Sequence, residues 1–495
     1  MAEINYRIIL KIIGVLLWLE AASMLMPLGI SIYYGENDTT AFLITIGIAA
    51  VIGSILFFQY PNTERKTLGK RDGIMVVSLC WICFSLLGSL PFILSGAVEN
   101  MAEAFFETVS GVTGTGASII TDVEKLPHGI LLWRSLIQWL GGLGIILLTL
   151  AILPLINSGG SMQLFNAETT GIMNDKLGPR IGQTAKLLWT TYLGLTIVLI
   201  ILLKLGPMNL FDAVCHAFTT AATGGFSTKN DSIAYWNSAY TEYVITIFML
   251  ISGINYALVY RAIRGEIKKT FGNEEVKWYL TIVVLFTILI VIGLFFNGAY
   301  ERLGLEATIR ASLFQVSSII TSTGFISADY VSWGPFFCIL ICLLMFCGGC
   351  AGSTSGGAKV IRIVVLLKNT IYEFYRQVHP NTIVPVRINQ QAISHEIITK
   401  ILAFLFTYAI IVIIGALTLA TMGLTIDEAF GCSLSCIGNI GTGLGRTLYS
   451  FAIIPDAGKW LLSFIMLIGR LEIFTILFLP LISGKNKRVQ INILR

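Results

Sequence analysis

The sequence predicts an all-α polytopic membrane protein, built as two leading helices followed by four helix–loop–helix units. Three observations predict it. The first is composition: of 495 residues, 55% are hydrophobic and only 12% charged, with a mean hydropathy of +0.80. Soluble domains carry about 25% charged residues, and disordered chains need low hydrophobicity. The second is a series of ten apolar stretches, most near the ~20 residues that a helix needs to cross the hydrocarbon core. The third is a set of four short segments, lying between those stretches, that align with one another without a gap over fourteen residues.

The apolar stretches are roughly 8–32, 41–58, 74–94, 130–155, 185–205, 243–260, 279–296, 334–367, 397–420 and 460–479. The first is too long for the 7–15-residue core of a cleaved signal, and no small-residue cleavage site follows it, so it reads as a span. The stretch 334–367 is too long for one clean helix and is interrupted by the glycine-rich run 347–358. An even number of spans puts both termini on one side. Sorted by the intervening loops, about 24 of the 33 Lys and Arg fall on that side and about 8 on the other. The rich side holds Arg65, Lys66, Lys70 and Arg71, then Arg261, Arg264, Lys268 and Lys269, then Lys485, Lys487 and Arg488. The positive-inside rule makes it the cytoplasm. These charges flank apolar spans, which argues for a lipid bilayer as the partner surface and against nucleic acid.

The chain thus divides into the leading pair (1–72) and units 73–160, 161–265, 266–375 and 376–495. The longest cytoplasmic stretches, 156–184 and 368–396, read as helical linkers. Most of the nine cysteines lie inside apolar spans. Cys347 and Cys350 form one CxxC without a second pair, which argues for small buried residues over a metal centre.

The four aligned segments begin at Glu103, Asp212, Ala311 and Glu428. They read EAFFETVSGVTGTG, DAVCHAFTTAATGG, ASLFQVSSIITSTG and EAFGCSLSCIGNIG. The third position is large and apolar (Phe105, Val214, Leu313, Phe430). The eighth carries a hydroxyl (Ser110, Thr219, Ser318, Ser435), and the last is always glycine (Gly116, Gly225, Gly324, Gly441). The first ten or so residues of each read as a short helix. Three begin with Glu or Asp, where the helix dipole favours negative charge. Irregular backbone follows, which in hydrocarbon is tolerated only when buried in protein or lining an aqueous path.

Four such loops can meet on one axis. Their ends are Thr113-Gly114-Thr115-Gly116, Ala222-Thr223-Gly224-Gly225, Thr321-Ser322-Thr323-Gly324 and Gly438-Asn439-Ile440-Gly441. Glycine and small hydroxyl residues let backbone carbonyls turn inward without side-chain clash. A ring of carbonyl oxygens can replace the hydration shell of a monovalent cation. Ca²⁺ and Mg²⁺ sites usually include Asp or Glu, which these loops lack.

Two further features belong to the same path. Arg470 lies about ten residues from either end of the last span, too deep to snorkel easily. A charge there costs at least about 2.5–3.5 kcal/mol, so it should face water or the bundle interior. It would restrict cation flow; an ion pair with Glu472 is compatible with that role. The break contains Gly348, Gly349, Gly352, Ser353, Gly356 and Gly357. It reads as a flexible plug beneath the loops, because glycine costs about 1 kcal/mol each in a helix. It lacks the G-x-x-x-x-G-K-[ST] pattern of a nucleotide loop. His216 reads as a structural histidine, and Gln138, Trp139, Gly141, Gly142 and Gly144 read as a helix-packing run. No catalytic triad, paired-carboxylate site or metal cluster stands in a plausible context, so an enzyme is not expected.

Taken together these motifs resemble the Trk/Ktr/HKT superfamily of cation transporters, and most closely its bacterial TrkH/TrkG branch. The resemblance rests on SGVTGTGAS from Ser110, HAFTTAATGGFST from His216, ITSTGF from Ile320, GNIGTGLG from Gly438, GGCAGSTSGGAKVIRI from Gly348 and GRLEIFT from Gly469. It covers nearly the whole chain. It implies a K⁺ uptake protein with four M1–P-loop–M2 repeats in pseudo-four-fold order around one pore. The final glycines map to the family's filter, and glycine at Gly116 implies preference for K⁺ over Na⁺. The break maps to the family's gating loop and Arg470 to its conduction-restricting arginine. The resemblance further implies a homodimer, residence in the bacterial cytoplasmic membrane, and a cytosolic ring of nucleotide-responsive RCK-domain subunits. K⁺ is then the transported ion, with no organic cofactor on this chain. Above the last glycine the loops differ: Gly114 stands where threonine is expected, Ala222 stands where the repeat prefers threonine, and the fourth loop has Gly438 and Asn439 with no threonine before its last glycine. Two other readings predict different behaviour. A K⁺/Na⁺ or K⁺/H⁺ symporter needs a second ion site, and no intramembrane acidic pair supplies one. A non-conducting anchor for a cytosolic sensor needs no filter at all.

Overall fold

The computed structural model describes residues 6–59, 70–142, 181–298, 304–382, 384–471 and 473. The leading helices fill Tyr6–Tyr34, interrupted at Met24, and Thr39–Phe58. They meet at Gly14 and Gly53: a Cβ on Gly14 would come within 2.8 Å of the Gly53 carbonyl oxygen. Glycine thus permits the backbone contact that replaces a hydrophobic drive between helices in lipid.

Each later unit runs M1, pore helix, loop, M2. The M1 helices are Lys70–Gly88 (with Leu90–Leu94 after a kink), Ile181–Leu205, Glu274–Phe296 and His395–Thr421. Their outer faces are apolar and exposed, as at Val284, Leu285, Ile288 and Ile292, which is a lipid-facing surface. The pore helices are Met101–Val112, Leu210–Ala221, Leu305–Ile320 and Ile426–Gly438. At 12 to 16 residues they reach about 18–24 Å, too short to cross a core of about 30 Å. Three are capped by side chains: Asn100, Asn209 and Thr425 accept from the N–H of Glu103, Asp212 and Glu428. The third starts earlier than its aligned segment and carries Glu306 in its first turn. At the head of the fourth, Arg446 donates to Glu428 (2.6 Å) and holds its carboxyl at about 2.

The M2 helices depart most from the sequence reading. The first is described over His128–Gly142 and the fourth over Asp456–Arg470; residues 143–180, which include the rest of the stretch 130–155 and most of the linker 156–184, and Glu472 and the tail lie outside the described residues. The second is not one straight helix. Ala239–Ser252 and Tyr256–Ile263 are bent by 111° at Gly253-Ile254-Asn255. The third is broken as expected, into Pro335–Cys347 and Val360–Val378. The stretch 368–396 is only partly helical. It contains a two-stranded hairpin, Arg387–Ile388 with Gln391–Ala392, turned by Asn389 and Gln390 at φ 47° and 66°. That hairpin is fastened to the start of the third M1, where Asn389 Oδ1 accepts from Glu274 N–H (2.8 Å).

Candidate functional site

The four loops close into a ring. In each, the residue two before the final glycine has a left-handed backbone: Gly114 (φ 69°), Thr223 (53°), Ser322 (54°) and Asn439 (52°). The final glycines repeat it at φ 81°, 80°, 78° and 94° for Gly116, Gly225, Gly324 and Gly441. The residue between them donates its N–H to the carbonyl of the hydroxyl residue at the eighth position of the repeat. These bonds run Thr115 to Ser110 (2.8 Å), Gly224 to Thr219 (2.8 Å), Thr323 to Ser318 (2.8 Å) and Ile440 to Ser435 (2.9 Å). The eighth position of the repeat therefore anchors the loop through its backbone. Gly114 and Asn439, departures from threonine, stand where a left-handed backbone favours Gly and Asn.

Contacts between loops are cyclic. A Cβ on Gly116 would collide with the Gly224 carbonyl, one on Gly225 with that of Thr323, one on Gly324 with that of Ile440, and one on Gly441 with that of Thr115. Each glycine thus abuts the peptide preceding the next glycine, and four steps return to the start. On one side the ring forms the floor of a cavity lined by all four glycines, Ser118, Arg134, Lys229 and Tyr449. Each pore helix ends at its loop, so the negative ends of four helix dipoles lie next to the ring.

Beneath the ring lies the broken third M2. Gly356 N–H donates to Ser322 Oγ (2.6 Å), and Thr223 Oγ1 donates to Thr354 Oγ1 (3.2 Å). A Cβ on Gly356 would strike the Gly438 carbonyl. One segment therefore touches the second, third and fourth loops. It is fastened at several points. Cys350 N–H donates to the carbonyl of Gly253 (2.9 Å), and Tyr256 N–H to that of Gly352 (3.1 Å). Ala351 N–H donates to Glu275 Oε1 (2.7 Å). The bend in the second M2 and the break in the third thus hold each other. Gly348, Gly352 and Gly357 have φ of 73°, 77° and 78°, while Gly349 and Ser353 pack among Ser355 and Cys350. From the fourth M2, Arg470 donates to the carbonyls of Thr354 (2.8 Å), Gly141 (3.0 Å) and Gly142 (3.3 Å).

Several supports were not evident in the sequence. Glu107 and Arg134 form a fully buried ion pair (2.9 Å). Glu107 also accepts from Ser118 Oγ (2.9 Å) and Ile119 N–H (3.0 Å), while Arg134 donates to the Ser227 carbonyl (3.1 Å). The pair is therefore satisfied as a buried charge must be, and it ties the first loop to the second. Asn439 Nδ2 donates to Thr115 Oγ1 (2.9 Å) and to the Met466 carbonyl (3.1 Å), joining the fourth loop to the first. His216 is structural: Nδ1 donates to the Asp212 carbonyl (2.8 Å) and Nε2 accepts from Ser227 Oγ (3.0 Å). Gln138 belongs to the second loop, not merely to helix packing. Its Nε2 donates to the Gly224 carbonyl (2.6 Å) and its Oε1 accepts from Phe226 N–H (3.1 Å).

Four short helices that stop at a shared ring of glycine backbone define a pore-loop membrane protein with four units about one axis. Residues 39–488 match the TrkH family, described as cation transport protein, and the chain belongs to that family. The family is one of transporters, not of enzymes. Among similar proteins, the Trk system potassium uptake protein TrkH of Salmonella typhimurium is 37% identical over 479 residues, covering 96% of this chain and 98% of its own. The Trk system potassium uptake protein TrkG of Escherichia coli is 35% identical over 478 residues, with 96% and 98% covered. The crystal structure of the potassium transporter TrkH from Vibrio parahaemolyticus superposes with a TM-score of 0.87 at 33% identity, covering 97% of this chain and 100% of that one.

Proposed function

We propose that this chain carries K⁺ inward across the bacterial cytoplasmic membrane, as the membrane subunit of a Trk system. The observation that carries the reading is the closed ring of Gly116, Gly225, Gly324 and Gly441, with a buried loop bonded to its underside. The filter is the set of four loop ends, and the gate is the segment 348–357 together with Arg470. Passage is down the electrochemical gradient: at 100 mV the field supplies about 2.3 kcal/mol per charge, enough for roughly fifty-fold accumulation. Both termini are cytoplasmic, the chain pairs as a homodimer, and a cytosolic, TrkA-like RCK-domain subunit supplies nucleotide control. The likeness in sequence and fold to potassium uptake proteins supports these assignments.

The test is Rb⁺ and Na⁺ flux into liposomes holding the purified protein, comparing the parent with Gly116→Ser. The parent should pass Rb⁺ and exclude Na⁺, and the variant should admit Na⁺. A parent that passes both ions, with no change in the variant, would place the filter elsewhere.

A second reading, coupled uptake, is favoured by Glu20. This residue lies midway along the first span and is fully buried, and neither carboxylate oxygen has a hydrogen-bond partner among the described residues. An unpartnered intramembrane carboxyl is costly, and a proton or second cation bound there would offset the cost. If uptake is coupled, the Rb⁺ reversal potential shifts with the proton or Na⁺ gradient, and Glu20→Gln abolishes the shift. A reversal potential that follows the Rb⁺ gradient alone removes this reading.

A further inference from the structure

We propose that Gln138 is a specificity-determining positioning residue, a role that rests on the filter reading above. Gln138 is fully buried on the first M2 helix, yet both of its hydrogen bonds go to another unit. The two backbone groups it holds, the Gly224 carbonyl and the Phe226 N–H, flank Gly225. One side-chain amide therefore fixes the peptides on either side of a filter glycine. The Gly224 carbonyl is also the group that abuts Gly116, so the amide sits at the seam between the first and second loops.

The neighbouring turns of the same helix continue the grip. One turn back, Arg134 donates to the Ser227 carbonyl (3.1 Å) and lies over the Phe226 ring, 4.3 Å from its centroid. One turn on, Gly142 lets Ala222 approach so closely that a Cβ would lie 3.0 Å from its Cα. Arg134, Gln138 and Gly142 are spaced i, i+4 and i+8, which places them on one helix face. That face acts as a strut along the second loop from Ala222 to Ser227.

The strut makes the ring unequal. Among the described residues, the Gly224 carbonyl accepts a side-chain hydrogen bond and the equivalent carbonyls of Thr115, Thr323 and Ile440 do not. A carbonyl oxygen has two lone pairs. The amide occupies one and aims the other. Without it the second quarter of the ring can rotate, and a ring that can shrink loses its preference for the larger ion.

The experiment compares the parent, Gly116→Ser, Gln138→Met and Gln138→Glu in liposomes, reading reversal potentials in opposed Rb⁺ and Na⁺ gradients and thermal unfolding in detergent. Gln138→Met removes both bonds. Gln138→Glu keeps an acceptor for Phe226 N–H and, read at a pH high enough to ionise a buried carboxyl, cannot donate to Gly224. Both should unfold near the parent temperature and raise the Na⁺-to-Rb⁺ permeability ratio about tenfold. If Gln138→Met does not fold, Gln138→Glu, nearly the same shape, decides. A ratio within about twofold of the parent in the folded Gln138 variants, while Gly116→Ser shifts it, overturns the role of Gln138 and leaves the filter reading standing. No shift in any of the three variants overturns both.

Discussion

Gly225→Ala should cut Rb⁺ flux at least about 100-fold, a barrier of about 2.7 kcal/mol, while leaving a folded protein. Two costs act together. Gly225 has φ 80°, where an L-residue pays about 1–2 kcal/mol. Its new Cβ would also collide with the Thr323 carbonyl, and backbone cannot swing aside as a long side chain can. The nearest relief is to push the second loop away from the third, which opens one seam of the ring. Folding should survive, because the pore helices and spans around the ring keep their packing. Gly194→Ala is the control. It sits in the second M1 with nothing within 4 Å of a Cβ, and alanine favours the helix. Flux through Gly194→Ala should match the parent. If Gly225→Ala conducts within about threefold of the parent, the ring is not the selective path and the anchor reading gains.

The ring was legible in the sequence because its backbone demands glycine at four places about one hundred residues apart. A left-handed backbone in contact with a neighbouring peptide tolerates no side chain, so geometry left a mark in composition. The position two residues earlier was less legible. It is also left-handed, but it is occupied by Gly114, Thr223, Ser322 and Asn439 in turn, so residue type alone hid the common conformation. The interrupted third M2 was visible through its run of glycines. The bend in the second M2 was not, because Gly253 and Asn255 sit within an apolar run and hydropathy carries no information about direction. The strut residues were hidden for a different reason. Gln138 meets Gly224 across 86 residues of sequence, and Asn439 meets Thr115 across 324. A polar residue inside a span signals that some partner exists, but only the packing of one unit on the next says which.

Arg470→Ala should raise Rb⁺ flux about tenfold or more, and the reason lies in what the guanidinium holds. Among the described residues, its backbone acceptors belong to two structures: Thr354 on the segment beneath the ring, and Gly141 and Gly142 on the first M2. The side chain thus bridges the segment beneath the ring, proposed above as the gate, to the first M2 helix. Hydrogen bonds to a charged group contribute about 1.5–3 kcal/mol each, so losing the bridge favours states in which the segment has moved. The charge itself adds a barrier to any cation passing close by. Two further substitutions separate these effects. Arg470→Lys keeps the charge but lacks the planar fork that reaches both structures; if bridging dominates, it conducts like Arg470→Ala, and if charge dominates, like the parent. Thr354→Ala keeps the carbonyl that Arg470 uses and loses only the hydroxyl bonded to Thr223 and Ala221. It should therefore open the path less than Arg470→Ala does. Flux in Arg470→Ala equal to that of the parent, under a steady K⁺ gradient, would remove Arg470 from the gate and leave it a structural bridge.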